Sequence, residues 1–219
     1  MKRFRFIILF FISVLCYGQD VDSLRMTACG KQLQTFYLGM DVLHKWQSGQ
    51  HINWQTGKPD DPDAVSGIRT HCSAFVAAAC ERRGIYILRP PEHQQELLAN
   101  AQVKWLTSDQ ARGFGWHPIT GNVLFEAQKM ADQGYMVVAC AQNPDRHKPG
   151  HIALVMPANL SLQQLQQNGP VMIQSSTTNS VNALFRDAFR RHIADWNSAA
   201  DDVLFFYNDK LCCPADNNR

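Results

Sequence analysis

The spacing of apolar positions changes partway along this chain. From Asp22 to about Gln47, Leu24, Ala28, Leu33, Phe36, Tyr37, Met40, Leu43 and Trp46 recur mostly at steps of three and four, which predicts an amphipathic helix with one stripe on the core. Gly49 to Gly67 holds Gly57, Pro59, Pro62, Asp60, Asp61 and Asp63 and predicts a long polar loop of the kind that often carries function. After Cys72 and Ser73, the small-sided run Ala74, Phe75, Val76, Ala77, Ala78 and Ala79 predicts a second helix that ends near Gly84, before Pro90 and Pro91 impose extended structure. "HQQELLANAQVKWL" and residues 122–133 predict two more helices, the latter closed by Gly134.

Then the period falls to that of strands. "YMVVACAQ", "HIALVMP" and "VMIQSS" are short β-branched runs between turn-forming segments, and "VLFFYND" near residue 203 is a fourth. Between the last two, "VNALFRDAFRRHIADWN" has helical spacing, "LQQLQQN" reads as a loop or surface turn, and the terminal "PADNNR" as frayed. Together these elements predict an α+β chain in which N-terminal helices pack on an antiparallel sheet.

The first 18 residues alter the charge balance. Lys2, Arg3 and Arg5 precede the apolar run "FIILFFISVL", and small residues follow at Cys16 and Gly18, the pattern of a secretory signal peptide cut after Gly18. The apolar run is shorter than the roughly 20 residues of a spanning helix, so no membrane anchor is expected after cleavage. Three of the 21 Lys+Arg leave with it and all 19 Asp+Glu remain, giving 18 against 19 over residues 19–219. A near-neutral exported chain offers no basic stripe for phosphates, which argues against nucleic acid, and its roughly 200 residues suit one domain.

Six cysteines follow Gly18: Cys29, Cys72, Cys80, Cys140, Cys212 and Cys213. None forms a C-x-x-C pair, no His/Cys cluster has metal-ligand spacing, and no metal or other cofactor is expected. If Cys72 stays free, at most two bridges form among the other five.

Cys72 stands where a helix opens, and a helix N-terminus supplies unpaired N–H groups and a positive dipole end that bias a thiol toward thiolate. A cysteine nucleophile also needs a base, a group to orient that base, and donors for the oxyanion. Of eight histidines, His151 is best placed, because it opens the strand "HIALVMP"; Gln174 on the next strand offers an uncharged orienting group. His147 in "PDRHKPG" is the rival base. His71 adjoins Cys72, and neighbouring helical side chains diverge by about 100°, so it suits a loop or substrate-facing role better than that of base.

"HCSAFV", "GHIALVMP" and "VMIQSS" together resemble the NlpC/P60 and CHAP group of papain-like cysteine peptidases and amidases, over roughly residues 50–176. The first is similar to that group's D-C-S-G-hydrophobic-V pattern, the second to its H-V-G-I-Y strand, the third to the strand of its third residue. His71 stands where that group usually has an acidic residue, and Ala74 where glycine is common. The resemblance implies a papain-like fold, Cys72 as nucleophile, His151 as base, Gln174 as orienting residue, and peptidoglycan or its peptide fragments as substrate.

Trp54, Arg69 and Trp116, in or beside the loops that flank the expected cleft, are candidate substrate contacts together with His71; tryptophans in loops more often cover a core edge. Gln55 is a possible oxyanion donor, and His117 and His192 read as surface or core histidines. Two alternatives stay open: an exported cysteine protease or amidase with another substrate, and a non-catalytic secreted binding protein with structural cysteines. The residues do not determine the oligomeric state.

Overall fold

The computed structural model describes residues 24–213; the expected signal peptide and the terminal "PADNNR" lie outside them. In chain order the elements are α1 (Ala28–Gly39), α2 (Cys72–Arg82), α3 (Leu98–Leu106), α4 (Asp109–Gly113), β1 (Trp116–Pro118), α5 (Val123–Asp132), β2 (Tyr135–Ala141), β3 (His151–Val155), α6 (Leu162–Asn168), β4 (Val171–Gln174), β5 (Ser180–Leu184), α7 (Phe185–Ala188), α8 (Ala199–Asp202) and β6 (Leu204–Leu211). The strands form one antiparallel sheet in the order β1-β6-β2-β3-β4-β5, so the fold class is α+β.

Period-2 alternation sends the side chains of each central strand to two apolar layers. Val138, Cys140, Ile152, Leu154 and Ile173 meet α2, while Val137, Ala139, Ala153, Val155 and Met172 meet Ala127 and Ala131 of α5. With both faces covered, β3 is buried along its whole length. Every residue of α2 from Cys72 to Cys80 is buried, as expected of a helix apolar on all sides. Its alanines let the backbone lie close to the sheet, and Phe75 meets the edge of Trp46 at 5.3 Å between ring centroids. The helix stops at Arg82 because Gly84 follows at φ 63°, a left-handed position that closes the last turn.

Three expectations are corrected here. The N-terminal helix ends at Gly39, and Val42 and Trp46 are buried through turns that begin at Asp41, whose φ is 59°. "LQQLQQN" is the helix α6, opened by a capping box between Ser161 and Gln164 that outweighs its polar composition. Residues 181–184, expected as helix, belong instead to the edge strand Ser180–Leu184 that pairs with β4, and Phe185–Ala188 turns helical directly after it.

Cys29 on α1 and Cys213 after β6 form a disulfide across 184 residues, and Cys72, Cys80, Cys140 and Cys212 are free and buried. Gly134, at φ 97°, leaves the room that Cys29 occupies. Closing so long a loop contributes on the order of 5 kcal/mol in the chain-entropy account.

Asp132, at the end of α5, accepts from the Ala158 N–H at 2.7 Å and from Gln128 Nε2 at 3.0 Å, leaving its second carboxyl oxygen buried without a partner. Burial pushes this carboxyl up from 3.8 to about 7, against the lowering effect of those two hydrogen bonds. Folding therefore favours the protonated acid, a stabilisation complete below pH 3.8 and lost as pH rises through about 7. Asp132→Asn removes that proton linkage. Its thermal midpoint, relative to wild type, is expected to rise between pH 4 and 7, by about 2–4 °C for each kcal/mol involved. A difference independent of pH across that window would show that Asp132 does not carry the linkage.

Candidate active site

His71 occupies the N-cap position of α2 without capping it; its Nε2 lies 2.9 Å from the Gln50 carbonyl, and burial keeps its pKa below the ordinary value. The Gln50 segment is fixed in turn by the loop after β4. Ser175 Oγ donates to the Trp46 carbonyl at 2.7 Å, and Asn179 Nδ2 donates to the carbonyls of Val42 at 2.6 Å and Lys45 at 2.9 Å. The start of α2 and the end of β4 are thus tied through the backbone of residues 42–50.

Cys72 is 3 % exposed. Burial pushes its thiol above the ordinary value, and the backbone N–H groups of Ile152, Ser73 and Cys72 itself pull in the opposite direction. The expected bias toward thiolate is therefore reversed. The helix-start donors are present, but an apolar layer on every side of α2 penalises the charged sulfur more than they stabilise it.

His151 opens β3 and Gln174 closes β4, and their side chains meet with Nε2 2.7 Å from Gln174 Oε1. An amide oxygen only accepts, so Nε2 carries the proton and Nδ1 is the basic nitrogen. Burial pushes the His151 imidazole down to about 4; the Gln174 hydrogen bond raises it and the neighbouring His192 lowers it. The ring lies 4.9 Å from Phe189 and is stacked with His192 at 6.2 Å between centroids. Near pH 7 both the thiol and the imidazole are neutral.

The two side chains leave the sheet differently. Ile152 joins the α2 layer with Cys72, whereas His151 alternates to the other face beside Phe189. No hydrogen bond joins Cys72 to His151; the backbone of Ile152, the residue after His151, is close enough only to moderate the burial of the thiol. Cys72 lines a cavity of about 430 Å³ with His71, Gln95, Leu97 and His147, and His151 lines one of about 930 Å³ with Gln174 and His192. Ile68, Arg69, Thr70 and Pro149 border both, so the two cavities adjoin across the segment that leads into α2.

The loop that delivers His151 is held by Asn100 on α3. Its Nδ2 donates to the Lys148 carbonyl at 2.9 Å and its Oδ1 accepts from the Asn143 N–H at 3.0 Å. Gly150 packs against Asn100 and the Ala141 carbonyl so closely that a Cβ there collides with both.

Of the expected substrate contacts, Arg69 lines both cavities and His71 lines the Cys72 cavity, though with its Nε2 engaged by Gln50. Trp116 is corrected. It is fully buried, its indole N–H donates to the Tyr86 carbonyl at 2.6 Å, and it has no surface to offer a ligand. Trp54 lines neither cavity and packs on the core edge, its carbonyl accepting from Trp46 Nε1 at 2.9 Å. Gln55 is also corrected, because its Nε2 donates to the Glu81 carboxylate at the opposite end of α2 from Cys72. His117 is paired with Asp209 at 3.1 Å, away from the site.

Sequence reasoning missed Asn100, Ser175 and Asn179, and read His192, which lines the His151 cavity, as a surface or core histidine. The basic run "FRRHI" was the available signal for His192. Among the described residues, no group of three His, Cys, Asp or Glu side chains gathers as a metal site. No family model and no curated protein matches the chain.

Proposed function

We propose that this protein is an exported cysteine hydrolase of papain-like type that cleaves amide bonds in peptidoglycan peptides. Support comes from one contact above all: the Nε2–H of His151 donates to Gln174 at 2.7 Å, which leaves Nδ1 as a free base in a cavity that adjoins the one Cys72 lines. A substrate spanning the two adjoining cavities lays its carbonyl over Cys72 and its amine toward His151.

Because thiol and imidazole are both neutral at rest, proton transfer accompanies attack instead of preceding it. The Sγ proton passes to His151 Nδ1 as sulfur bonds to the carbonyl carbon. This requires the imidazole, which rests on the Phe189 face of the sheet, to swing toward the border shared by the two cavities. The oxyanion is held by the Cys72 N–H and a neighbouring donor. Collapse breaks the C–N bond, and the imidazolium returns its proton to the departing amine. Water, deprotonated by His151, then cleaves the thioester to give the carboxylic acid and the free thiol.

Export is supported by the leader-like N-terminus and by the Cys29–Cys213 disulfide, a bond suited to an oxidising compartment. The peptidoglycan assignment comes from the sequence resemblance. Incubation of purified enzyme with peptidoglycan sacculi, and with casein in parallel, followed by mass spectrometry tests it. The expected result is soluble peptide fragments and correspondingly shortened stem peptides, each cut adding one water. Cleavage of casein with intact sacculi would favour a protease with another substrate, and cleavage of neither would favour the binding protein.

A further inference from the structure

The two adjoining cavities differ in charge. The Cys72 cavity carries Arg69 and Glu96, one charge of each sign, beside His71 and His147. The His151 cavity carries Arg69, Lys148, Arg190 and Arg191 against a single carboxylate, Asp187. Lys148 is paired with Asp145 at 3.4 Å, outside the cavity lining. Arg69, Arg190 and Arg191 make no ion pair or hydrogen bond among the described residues. Three free guanidiniums thus border a cleft whose floor is the buried His151–Gln174 pair. His192, stacked on His151, is itself kept from protonating by burial and by Arg191, so it adds a neutral donor or acceptor there.

We infer that the cavity beside His151 is a carboxylate-binding subsite for the amine-side fragment of the substrate, held by Arg190 and Arg191 with Arg69 on the shared wall. The inference rests on the cysteine-hydrolase proposal, because it is the role of His151 in returning a proton to the departing amine that puts the amine-side fragment in this cavity. Guanidinium matches a carboxylate with two parallel N–H donors, and a fragment that ends in a free carboxylate close to the cut fits a cationic cleft of about 930 Å³ at that end. The enzyme is then selective for peptides cut near a free C-terminus.

Two measurements test this on the full-length protein. In calorimetry with the dipeptide alanyl-alanine and with its C-terminal amide, wild type is expected to bind the carboxylate at least tenfold more tightly, with a preference that weakens as salt is raised. In the Arg190→Gln, Arg191→Gln double variant that preference is lost while the amide binds as in wild type. In kinetics on peptides ending one or two residues past the cut, the same carboxylate preference is expected in KM. Equal affinity for the two dipeptides in wild type, or a preference undiminished in the double variant, overturns the subsite. Charge-selective binding by a wild-type protein that hydrolyses none of the peptides overturns the assignment to the departing fragment and the hydrolase proposal with it, leaving only an anion site.

Discussion

Cys72→Ala is expected to release no peptide fragments from sacculi above background, a loss on the order of 10⁴-fold or more, while keeping the wild-type circular dichroism spectrum. The asymmetry follows from where the sulfur sits. It forms the covalent bond to the acyl group, so nothing in the site substitutes for it. As a packing element it is one small atom at the first turn of α2, and the layer made by Phe75, Val76 and Ala79 with Ile152 and Leu154 remains without it. Loss of that atom costs about 1 kcal/mol, or about 2–4 °C in thermal midpoint for a chain of this size. Cys72→Ser is nearly isosteric at the first turn of α2 and is expected to fold still closer to wild type while remaining inactive. Purified Cys72→Ala that digests sacculi at the wild-type rate would end the cysteine-hydrolase proposal.

The elements most readable from sequence were those whose local pattern and burial agree. α2 is apolar on every side and ends before a glycine, and β2, β3 and β4 are continuous apolar runs between turns, so period alone located them. Where tertiary pairing overrode local spacing, the reading failed. Residues 181–184 open a segment of helical spacing, but β4 presents an open edge, and pairing there satisfies backbone groups that a short exposed helix leaves to solvent. In "LQQLQQN" the deciding information was Ser161 just before it, a cap and not a periodicity.

The site was legible as residue types and not as environment. A cysteine at a helix start, a histidine at a strand start and a glutamine on the next strand are visible in the letters, and the structure joins the last two directly. Burial is not visible in the same way. The dipole argument favoured a thiolate at Cys72, but it compares that residue with solvent, and the competing desolvation depends on Ile152 and α2 packing across a sheet some 80 residues later. Asn100 and Asn179 carry no motif, because each acts through backbone carbonyls or N–H groups distant in sequence.

His151→Ala is expected to lose nearly as much activity as Cys72→Ala, on the order of 10³- to 10⁴-fold, while His147→Ala keeps activity within about threefold of wild type. His147 is the natural rival, since it lines the Cys72 cavity that His151 does not. What separates them is orientation: His151 has its tautomer set by Gln174, whereas His147 is on an exposed loop and its imidazole has no hydrogen bond. The pH profile adds an independent check. A base must be neutral to act, and burial puts the His151 imidazole at about 4, so the acid limb of kcat/KM is expected near pH 4 and well below the ordinary 6.5. Gln174→Glu still accepts from Nε2 but adds a negative charge that favours the imidazolium, so the acid limb should move up in pH. Gln174→Ala should lower kcat by releasing the ring from its tautomer. An inactive His147→Ala beside an active His151→Ala, or an acid limb unmoved by Gln174→Glu, would transfer the base to the loop and remove Gln174 from the mechanism.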